Sequence, residues 1–379
     1  MFNRIAIRYL ALALLAATSL AAATAILTVM VDPYYAFGAR LIEGLTSLKP
    51  RADEQIDIAK ASLLARARPT TLILGNSRAE IGLDPRSSAW PSSLRPVFNC
   101  SLAGHDMFSE LLYFLDDLAL KRPRLVLVGA DFQDFISAGD NNSEPPVLPL
   151  ERRLLVDRHG TPNKDRWVQS LVDMGTSTMT IGALSDSFLT VASQDPRSSP
   201  TLTTDGYNPL HEYEYFVRHE GAYVLFAQKR AAYQVQYRRF KPSDFSRPAL
   251  NPEFRELDAL LDAARKSGTR VIVFTYPYHA EYYDMLRGFR LWSSFLAWKA
   301  ALTSDVSRFT RNSDGRIQLY DFALVNDITS EPAPSQADRG RQMQWYWEPG
   351  HFKSALGDQM ILRMTGGAGS ALEYETPAR

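Results

Sequence analysis

Residues 71–78 read TLILGNSR, and this stretch decides how the chain is expected to fold. Its first four residues form a short run of mostly apolar residues without clean alternation, typical of a strand buried on both faces of a sheet. Gly75 and Asn76 then break the run, and Ser77 follows directly. Open α/β sheets bind their ligands outside the carboxyl ends of the strands. Ser77 is therefore predicted to lie at the functional edge of such a sheet.

Short apolar runs of the same kind recur along the chain. Including the first, they span residues 70–74, 97–102, 125–128, 271–276 and 317–322. Helical patterns separate them: Asp106 can cap one helix, and Asn251-Pro252 opens another that ends before Gly268. Buried strands that alternate with helices are typical of a parallel sheet. The predicted class is α/β, with a doubly wound sheet of five parallel strands.

The N-terminal segment is predicted to anchor the chain in a lipid bilayer. Residues 9–31 run 23 residues without a charged side chain, which as a helix spans ~34 Å and crosses a ~30 Å hydrocarbon core. A cleaved signal peptide is the alternative, with Ala21-Ala22-Ala23 as its cleavage site, but the sequence stays apolar as far as Val31. Because Arg4 and Arg8 precede the span, the N-terminus is expected in the cytoplasm, although Arg40, Lys49 and Arg51 beyond the far end weaken this argument.

The chain divides into three parts on this interpretation. Residues 1–31 form the cytoplasmic tip and anchor, residues 32–68 form a stem and a first helix, and residues 69–379 form the α/β domain. Tyr34 and Tyr35 would lie at the level of the membrane interface. Residues 137–250, between the third and fourth strands, are far too long for an ordinary connection and are predicted to be a largely helical insertion.

The insertion is rich in tyrosine, which suits either sugar stacking or packing. The tyrosines of its later part are Tyr207, Tyr213, Tyr215, Tyr223, Tyr233 and Tyr237. Phe226, Tyr233, Tyr237 and Phe240 recur at helical spacing, which favours a packing stripe.

Composition excludes several classes of function. The chain has 42 basic and 42 acidic residues, so no long-range field attracts nucleic acid. Its single cysteine, Cys100, can form neither an internal disulfide nor a zinc site. No His/Cys metal spacing and no glycine-rich phosphate loop is present, and we expect no cofactor. Balanced charge favours a neutral substrate over a charged polymer.

Ser77 needs a base before its hydroxyl becomes a useful nucleophile. Among six histidines, His351 has the most suggestive context, WYWEPGHF over residues 345–352. Pro349 and Gly350 favour a tight turn that brings the Glu348 carboxylate near the His351 ring, where it can orient the imidazole. The simpler alternatives are an ordinary Gly-Asn-Ser turn and a histidine satisfied locally at a helix start.

Taken together, these segments resemble the SGNH/GDSL hydrolase superfamily, in particular a membrane-anchored bacterial branch similar to cell-envelope polysaccharide O-acetyl esterases and transferases. The resemblance rests on the order of three of the family's four blocks over about 200 residues: the first is GNSR at 75–78, the second is NCSLAG at 99–104 and the last is EPGH at 348–351. It implies a flavodoxin-like three-layer α/β/α fold. It also implies a periplasmic or extracellular domain held at the inner membrane by a single pass.

The resemblance implies a role for each matching residue. Ser77 would be the nucleophile, His351 the general base and then acid, and Glu348 its orienting partner. The backbone amides of Ser77 and Gly104 would face the developing oxyanion. The supporting positions would be Asn76, Arg78, Asn99 and Asp131.

The chain departs from the family motifs at three positions. The first block has Asn76 where the family has Asp, which alters the hydrogen bonding of the turn. The third block, expected as G-x-N-D, reads Gly129-Ala130-Asp131-Phe132 and has an anionic Asp131 in place of an amide donor. The last block has Glu348 for Asp, and glutamate serves in other triads.

The sequence thus predicts an acyl esterase or O-acyltransferase that acts on acylated envelope carbohydrate through an acyl-serine. A catalytically inactive protein of the same fold, which binds polysaccharide or an envelope protein partner, is the alternative. A purely structural anchor protein is a third.

Overall fold

A parallel sheet of five strands forms the centre of the protein. The structure, a computed structural model, describes residues 4–141, 143, 145–197, 202–338 and 341–376. The strands are β1 (Thr71–Leu74), β2 (Val97–Asn99), β3 (Leu125–Ala130), β4 (Arg270–Thr275) and β5 (Ile317–Asp321). Their spatial order is β2-β1-β3-β4-β5, and every neighbouring pair is parallel. The predicted α/β class and five-stranded parallel sheet are confirmed.

Fourteen α-helices accompany the sheet in the described residues. They are α1 (Arg4–Val31), α2 (Ile56–Ala67), α3 (Ser77–Gly82), α4 (Met107–Leu120), α5 (Phe132–Ala138), α6 (Pro149–Arg153), α7 (Arg166–Thr178), α8 (Ile181–Ala192), α9 (His211–Glu220), α10 (Ala222–Tyr237), α11 (Pro252–Ser267), α12 (Ala280–Gly288), α13 (Trp292–Arg311) and α14 (Ser354–Thr365). A small antiparallel hairpin of β6 (Tyr346–Glu348) and β7 (His351–Phe352) precedes α14.

Local sequence explains where these elements begin and end. The Asp106 side chain caps α4 by accepting from the Ser109 N–H, and Asn251 caps α11 by accepting from the Glu253 N–H. Gly268 ends α11 in the left-handed conformation with φ +69°, which glycine adopts without steric cost. Both helices lie where the sequence predicts them.

Helix packing buries the sheet. All residues of β1 and β3 are buried, in keeping with their apolar composition. Helix α11 contacts α4 and α13, whereas α3 contacts α14. The carboxyl end of β1 leads directly into α3, so Ser77 lies at the edge of the sheet that the sequence indicates.

The insertion between β3 and β4 is helical, as predicted. It contains α6 to α10, and α5 begins just before its predicted start at residue 137. Tyr233 and Tyr237 are 8% and 2% exposed and join the main core together with Phe226. The packing interpretation of this stripe is confirmed.

The N-terminal helix α1 is long and apolar enough to span a membrane. Its C-terminal end, however, is not followed by a free stem. Tyr34 and Tyr35 are buried by protein, and their hydroxyls donate to the Asp186 carboxylate at 2.6 Å and to the Leu202 carbonyl at 2.8 Å. The expectation that these rings face lipid headgroups is wrong, because the insertion covers them.

Candidate active site

Ser77 is the first residue of α3 and is partly exposed. Asn76 precedes it as the N-cap, and its side-chain oxygen accepts from the Arg78 N–H at 3.1 Å. The first N–H groups of a helix have no acceptor within the helix, so the Ser77 N–H is available to a bound group. Gly75 makes the tight approach possible, since a Cβ there would lie 2.5 Å from the Tyr276 hydroxyl.

Close packing joins the serine helix to the elements that carry the histidine. A Cβ on Gly82, at the end of α3, would lie 2.1 Å from the Phe352 ring of β7. A Cβ on Gly357 of α14 would lie 1.8 Å from the Gly82 carbonyl oxygen. The two glycines let α3, β7 and α14 pack together, and this contact holds the helix of Ser77 against the strand of His351.

Ser77, His351 and Glu348 meet in one hydrogen-bonded line. The Ser77 Oγ lies 2.8 Å from His351 Nε2, and the opposite ring nitrogen, Nδ1, contacts Glu348 Oε1. A carboxylate can only accept, so Glu348 holds the proton on Nδ1 and leaves Nε2 free to accept from the serine hydroxyl. This is the geometry that a serine needs for activation.

Glu348 is held rigidly and stays ionised. It is fully buried, and its second oxygen accepts from the Gly350 N–H at 2.8 Å across the Pro349-Gly350 turn. Burial alone would raise the pKa of Glu348, but the His351 ring, the Gly350 N–H and the Arg78 charge together lower it below its usual value. The charged carboxylate can therefore stabilise an imidazolium on His351.

A buried network lies behind the serine and contains three of the predicted supporting residues. The Arg78 guanidinium donates to the Asp131 carboxylate in a buried ion pair. The Asn76 amide donates to Asp131 at 2.6 Å and to Asp134 at 2.9 Å, and the Tyr278 hydroxyl donates to Asp131 at 2.8 Å. The Asp131 carboxylate is therefore occupied by buried partners behind the serine.

Tyrosines that sequence reasoning missed surround Arg78. The guanidinium carbon lies 5.4 Å from the Tyr278 ring centroid, 5.6 Å from that of Tyr282 and 6.0 Å from that of Tyr276. Such contacts stabilise a desolvated cation. The dense tyrosines at 276–283, directly after the predicted fourth strand, are the signal that would have found them, because that strand end shares its edge with Ser77.

Asn99 braces the helix that carries Ser77. It is fully buried, and its amide donates to the carbonyls of Ala79 at 2.8 Å and Leu83 at 2.9 Å, at the end of α3. This contact ties the end of β2 to the helix that begins at Ser77.

Gly104 lies in the loop after β2. It is exposed, with φ +74°, and the loop is tied to the serine turn where the Leu102 N–H donates to the Gly75 carbonyl at 2.9 Å. The role of Gly104 as an oxyanion donor stays a prediction.

Three further acids lie behind the site without forming a metal centre. Burial raises the pKa of Glu110, Asp134 and Glu253, with nearby carboxylates adding to the effect; for Glu253 the value reaches about 7. Among the described residues, no group of three or more His, Cys, Asp or Glu side chains is arranged to hold a metal ion.

Comparison with known proteins adds no relative. No protein-family model matches the chain, and no curated protein matches it significantly. The resemblance to the SGNH/GDSL superfamily stays a prediction.

Proposed function

We propose that the protein is a membrane-tethered, extracytoplasmic SGNH-like serine acyl esterase or O-acyltransferase that acts on envelope carbohydrate. One observation carries the proposal: Ser77 Oγ lies 2.8 Å from His351 Nε2, and Glu348 contacts Nδ1 of the same ring. These residues come from β1–α3 and from the β6–β7 hairpin, 271 or more positions apart in sequence. A chain does not bring a serine, a histidine and a buried carboxylate into this order by local geometry alone.

The arrangement suits acyl transfer through a covalent intermediate. His351 Nε2 takes the Ser77 proton as Oγ attacks the acyl carbonyl carbon, and a tetrahedral oxyanion forms. Its collapse breaks the bond to the sugar oxygen, which leaves with the proton from His351 and gives an acyl-Ser77. Water or a second sugar hydroxyl, deprotonated by His351, then attacks the acyl carbon and restores the serine.

Two features of the fold support the assignment. The strand order β2-β1-β3-β4-β5 is that of flavodoxin-like sheets, and the contacts of α4 with α11 and of α3 with α14 fit helices on both sides of a three-layer α/β/α fold. The apolar α1 fits a single-pass anchor at the bacterial inner membrane. Arg4 and Arg8 at its start favour a cytoplasmic N-terminus, which leaves the site outside.

A catalytically inactive protein of the same fold is the second candidate, and Asp131 is the observation in its favour. Its carboxylate stands where the family motif has an amide donor and cannot stabilise an oxyanion. Loss of one oxyanion donor costs about 100- to 1000-fold in other serine enzymes. In this case the cleft would bind polysaccharide or an envelope protein partner.

Release of acetate from O-acetylated polysaccharide by the full chain in detergent distinguishes the two candidates. The esterase proposal predicts release that Ser77→Ala abolishes, and in the presence of an acceptor glycan a transferase also produces newly acetylated sugar. Equal release of acetate by the wild-type protein and by Ser77→Ala would contradict the esterase proposal. Unchanged glycan binding and normal biological function in Ser77→Ala would select the second candidate.

A further inference from the structure

Helices α7 and α8 form a hairpin whose outer face is strongly apolar. Six large side chains of this face are between 54% and 88% exposed: Trp167, Leu171, Met174, Met179, Ile181 and Phe188. Ile181, the most exposed at 88%, is at the tip, where the chain turns from α7 into α8. A contiguous apolar surface of this kind on a protein in water marks an interaction site.

Apart from Arg166, the exposed first residue of α7, the hairpin has no exposed charge. Residues 167–194 include two charged residues, Asp173 and Asp186, and both point toward the protein body. The Arg153 guanidinium donates to Asp173 at 2.6 Å, and Asp186 accepts from Tyr34 and Arg51. The outer face can therefore be buried in an apolar environment without desolvation of a charged group, which would carry the largest free-energy cost.

Several polar groups at the tip of the hairpin find partners within the hairpin itself. The Thr178 and Thr180 hydroxyls donate to the Met174 and Thr176 carbonyls at 2.7 Å and 2.9 Å. The Met179 N–H donates to the Gly175 carbonyl at 2.9 Å. Backbone polar groups in an apolar medium need such internal partners, and these contacts reduce the number of groups at the tip that would be left without one.

The hairpin packs on the outer end of the candidate membrane helix. Both α7 and α8 contact α1, and the Thr28 hydroxyl lies 3.3 Å from the Thr178 carbonyl. Thr28 is fully buried and Thr24 partly buried, whereas the described residues before Thr24 are exposed. Since Thr24 lies seven residues before Val31, the shielded part of α1 reaches ~10 Å inward from its end.

We propose that the α7–α8 hairpin inserts its apolar tip into the outer leaflet of the bilayer beside α1, so that two elements attach the protein to the membrane. Amphipathic helices lie ~5–10 Å deep in the boundary between headgroups and acyl chains, which matches the length of α1 that the hairpin shields. We assign lipid as the partner of this face because the face is continuous with α1, a helix long and apolar enough to span a membrane. Two attachments fix the orientation of the α/β domain above the membrane. The inference rests on the anchor of the proposed function and is independent of its chemistry.

Spin labels on single added cysteines in the full chain, reconstituted in phosphatidylcholine vesicles, test the inference. The native Cys100 is 2% exposed and stays unlabelled. The test positions are Met179→Cys and Ile181→Cys. Val235→Cys is the matched control, since Val235 is an apolar residue 54% exposed on α10, and Leu14→Cys in α1 reports on the anchor. Collision of each label with oxygen, which concentrates in lipid, is compared with collision with a water-soluble nickel complex.

Labels at 179 and 181 are expected to resemble the label at 14, with an oxygen-to-nickel collision ratio severalfold above that at 235. If the label at 181 has the same collision ratio as the label at 235 while the label at 14 is in lipid, the hairpin lies in water and this inference alone fails. Low collision with both reagents at 181 would indicate cover by protein, such as a second copy, and would also overturn it. If 14 itself is open to nickel, the anchor of the proposed function fails as well. The two test positions guard against a local effect of one label.

Discussion

The Asn76 side-chain amide donates a 2.6 Å hydrogen bond to the Asp131 carboxylate. These are the positions at which the first and third sequence blocks depart from the family that the chain resembles, which has Asp in the first and Asn in the third. The two departures are thus the two ends of one contact, with the carboxylate and the amide exchanged. Asp131 gains a buried cation partner in Arg78 by this exchange.

Asn76→Asp is expected to destabilise the protein by about 2–4 kcal/mol, because a third carboxylate would face Asp131 and Asp134 and a donor would be lost. Adding Asp131→Asn restores an amide–carboxylate pair at this contact. Thermal unfolding of the full chain in detergent should therefore show a double variant less destabilised than the sum of the single ones. Additive effects would mean that the two positions do not exchange as a pair.

Glu348→Gln is expected to reduce kcat for acetyl ester hydrolysis by about 1000- to 10,000-fold, because a neutral amide neither fixes the His351 tautomer nor stabilises the imidazolium. KM should change little, since Glu348 is fully buried and lies on the opposite side of the His351 ring from Ser77. Glu373→Gln, at an exposed position, is the control. Retention of more than a tenth of kcat in a folded Glu348→Gln protein would argue against an orienting role.

Gly82→Ala is expected to lower activity strongly, since the new Cβ would lie 2.1 Å from the Phe352 ring and push α3 away from β7. The displacement would lengthen the Ser77–His351 contact. Adding Phe352→Leu removes the outer ring atoms and should return part of the lost activity. Gly288→Ala in α12 is the control, because nothing lies within 4 Å of a Cβ there. Wild-type activity of Gly82→Ala would show that this packing does not set the catalytic distance.

Glu253→Gln is expected to stabilise the protein in alkaline but not acidic solution. Burial raises the pKa of Glu253 to about 7, while the Met107 N–H, donating at 2.9 Å, opposes the shift. The folded state therefore keeps a proton that the unfolded chain releases near pH 4.3, and stability falls as pH rises from there to about 7. At pH 4 the variant should resemble wild type.

At pH 8 the Glu253→Gln variant should gain stability, by as much as about 3 kcal/mol. Melting temperatures of both proteins across this range measure the difference. A difference that does not grow with pH would show that Glu253 ionises normally in the folded state.

Almost the whole sheet could be predicted from the sequence. Each strand is a short apolar run bounded by turn residues, and the caps at Asp106 and Asn251 mark the helices beside them. Ser77 could be predicted because it follows a Gly-Asn turn at the carboxyl end of the first strand. Glu348 and His351 could be predicted because the Pro349-Gly350 turn between them brings their side chains together. The tyrosines at 276–283 mark the same edge of the sheet, but their pattern does not say which of them contact Arg78, since the approach of Tyr278 and Tyr282 depends on tertiary packing across more than 190 residues.

The exposed apolar face of the α7–α8 hairpin could not be predicted from the sequence either. The sequence predicts Tyr34 at the membrane interface, yet its ring is buried by protein and its hydroxyl donates to Asp186 of the insertion. Periodicity places apolar residues on one side of a helix but does not say whether that side meets protein or lipid. The structure is needed to show that Ile181 is exposed at the tip of the hairpin and that α7 and α8 pack against α1.

Covalent labelling of the full chain with a serine-directed phosphonate, followed by mass spectrometry of the modified peptide, tests the central claim most directly. The triad geometry predicts one labelled residue, Ser77, with labelling abolished in Ser77→Ala and slowed at least 100-fold in His351→Ala, because the hydroxyl then has no base. A folded wild-type protein that takes no label at Ser77, or labels it equally fast without His351, would contradict the account.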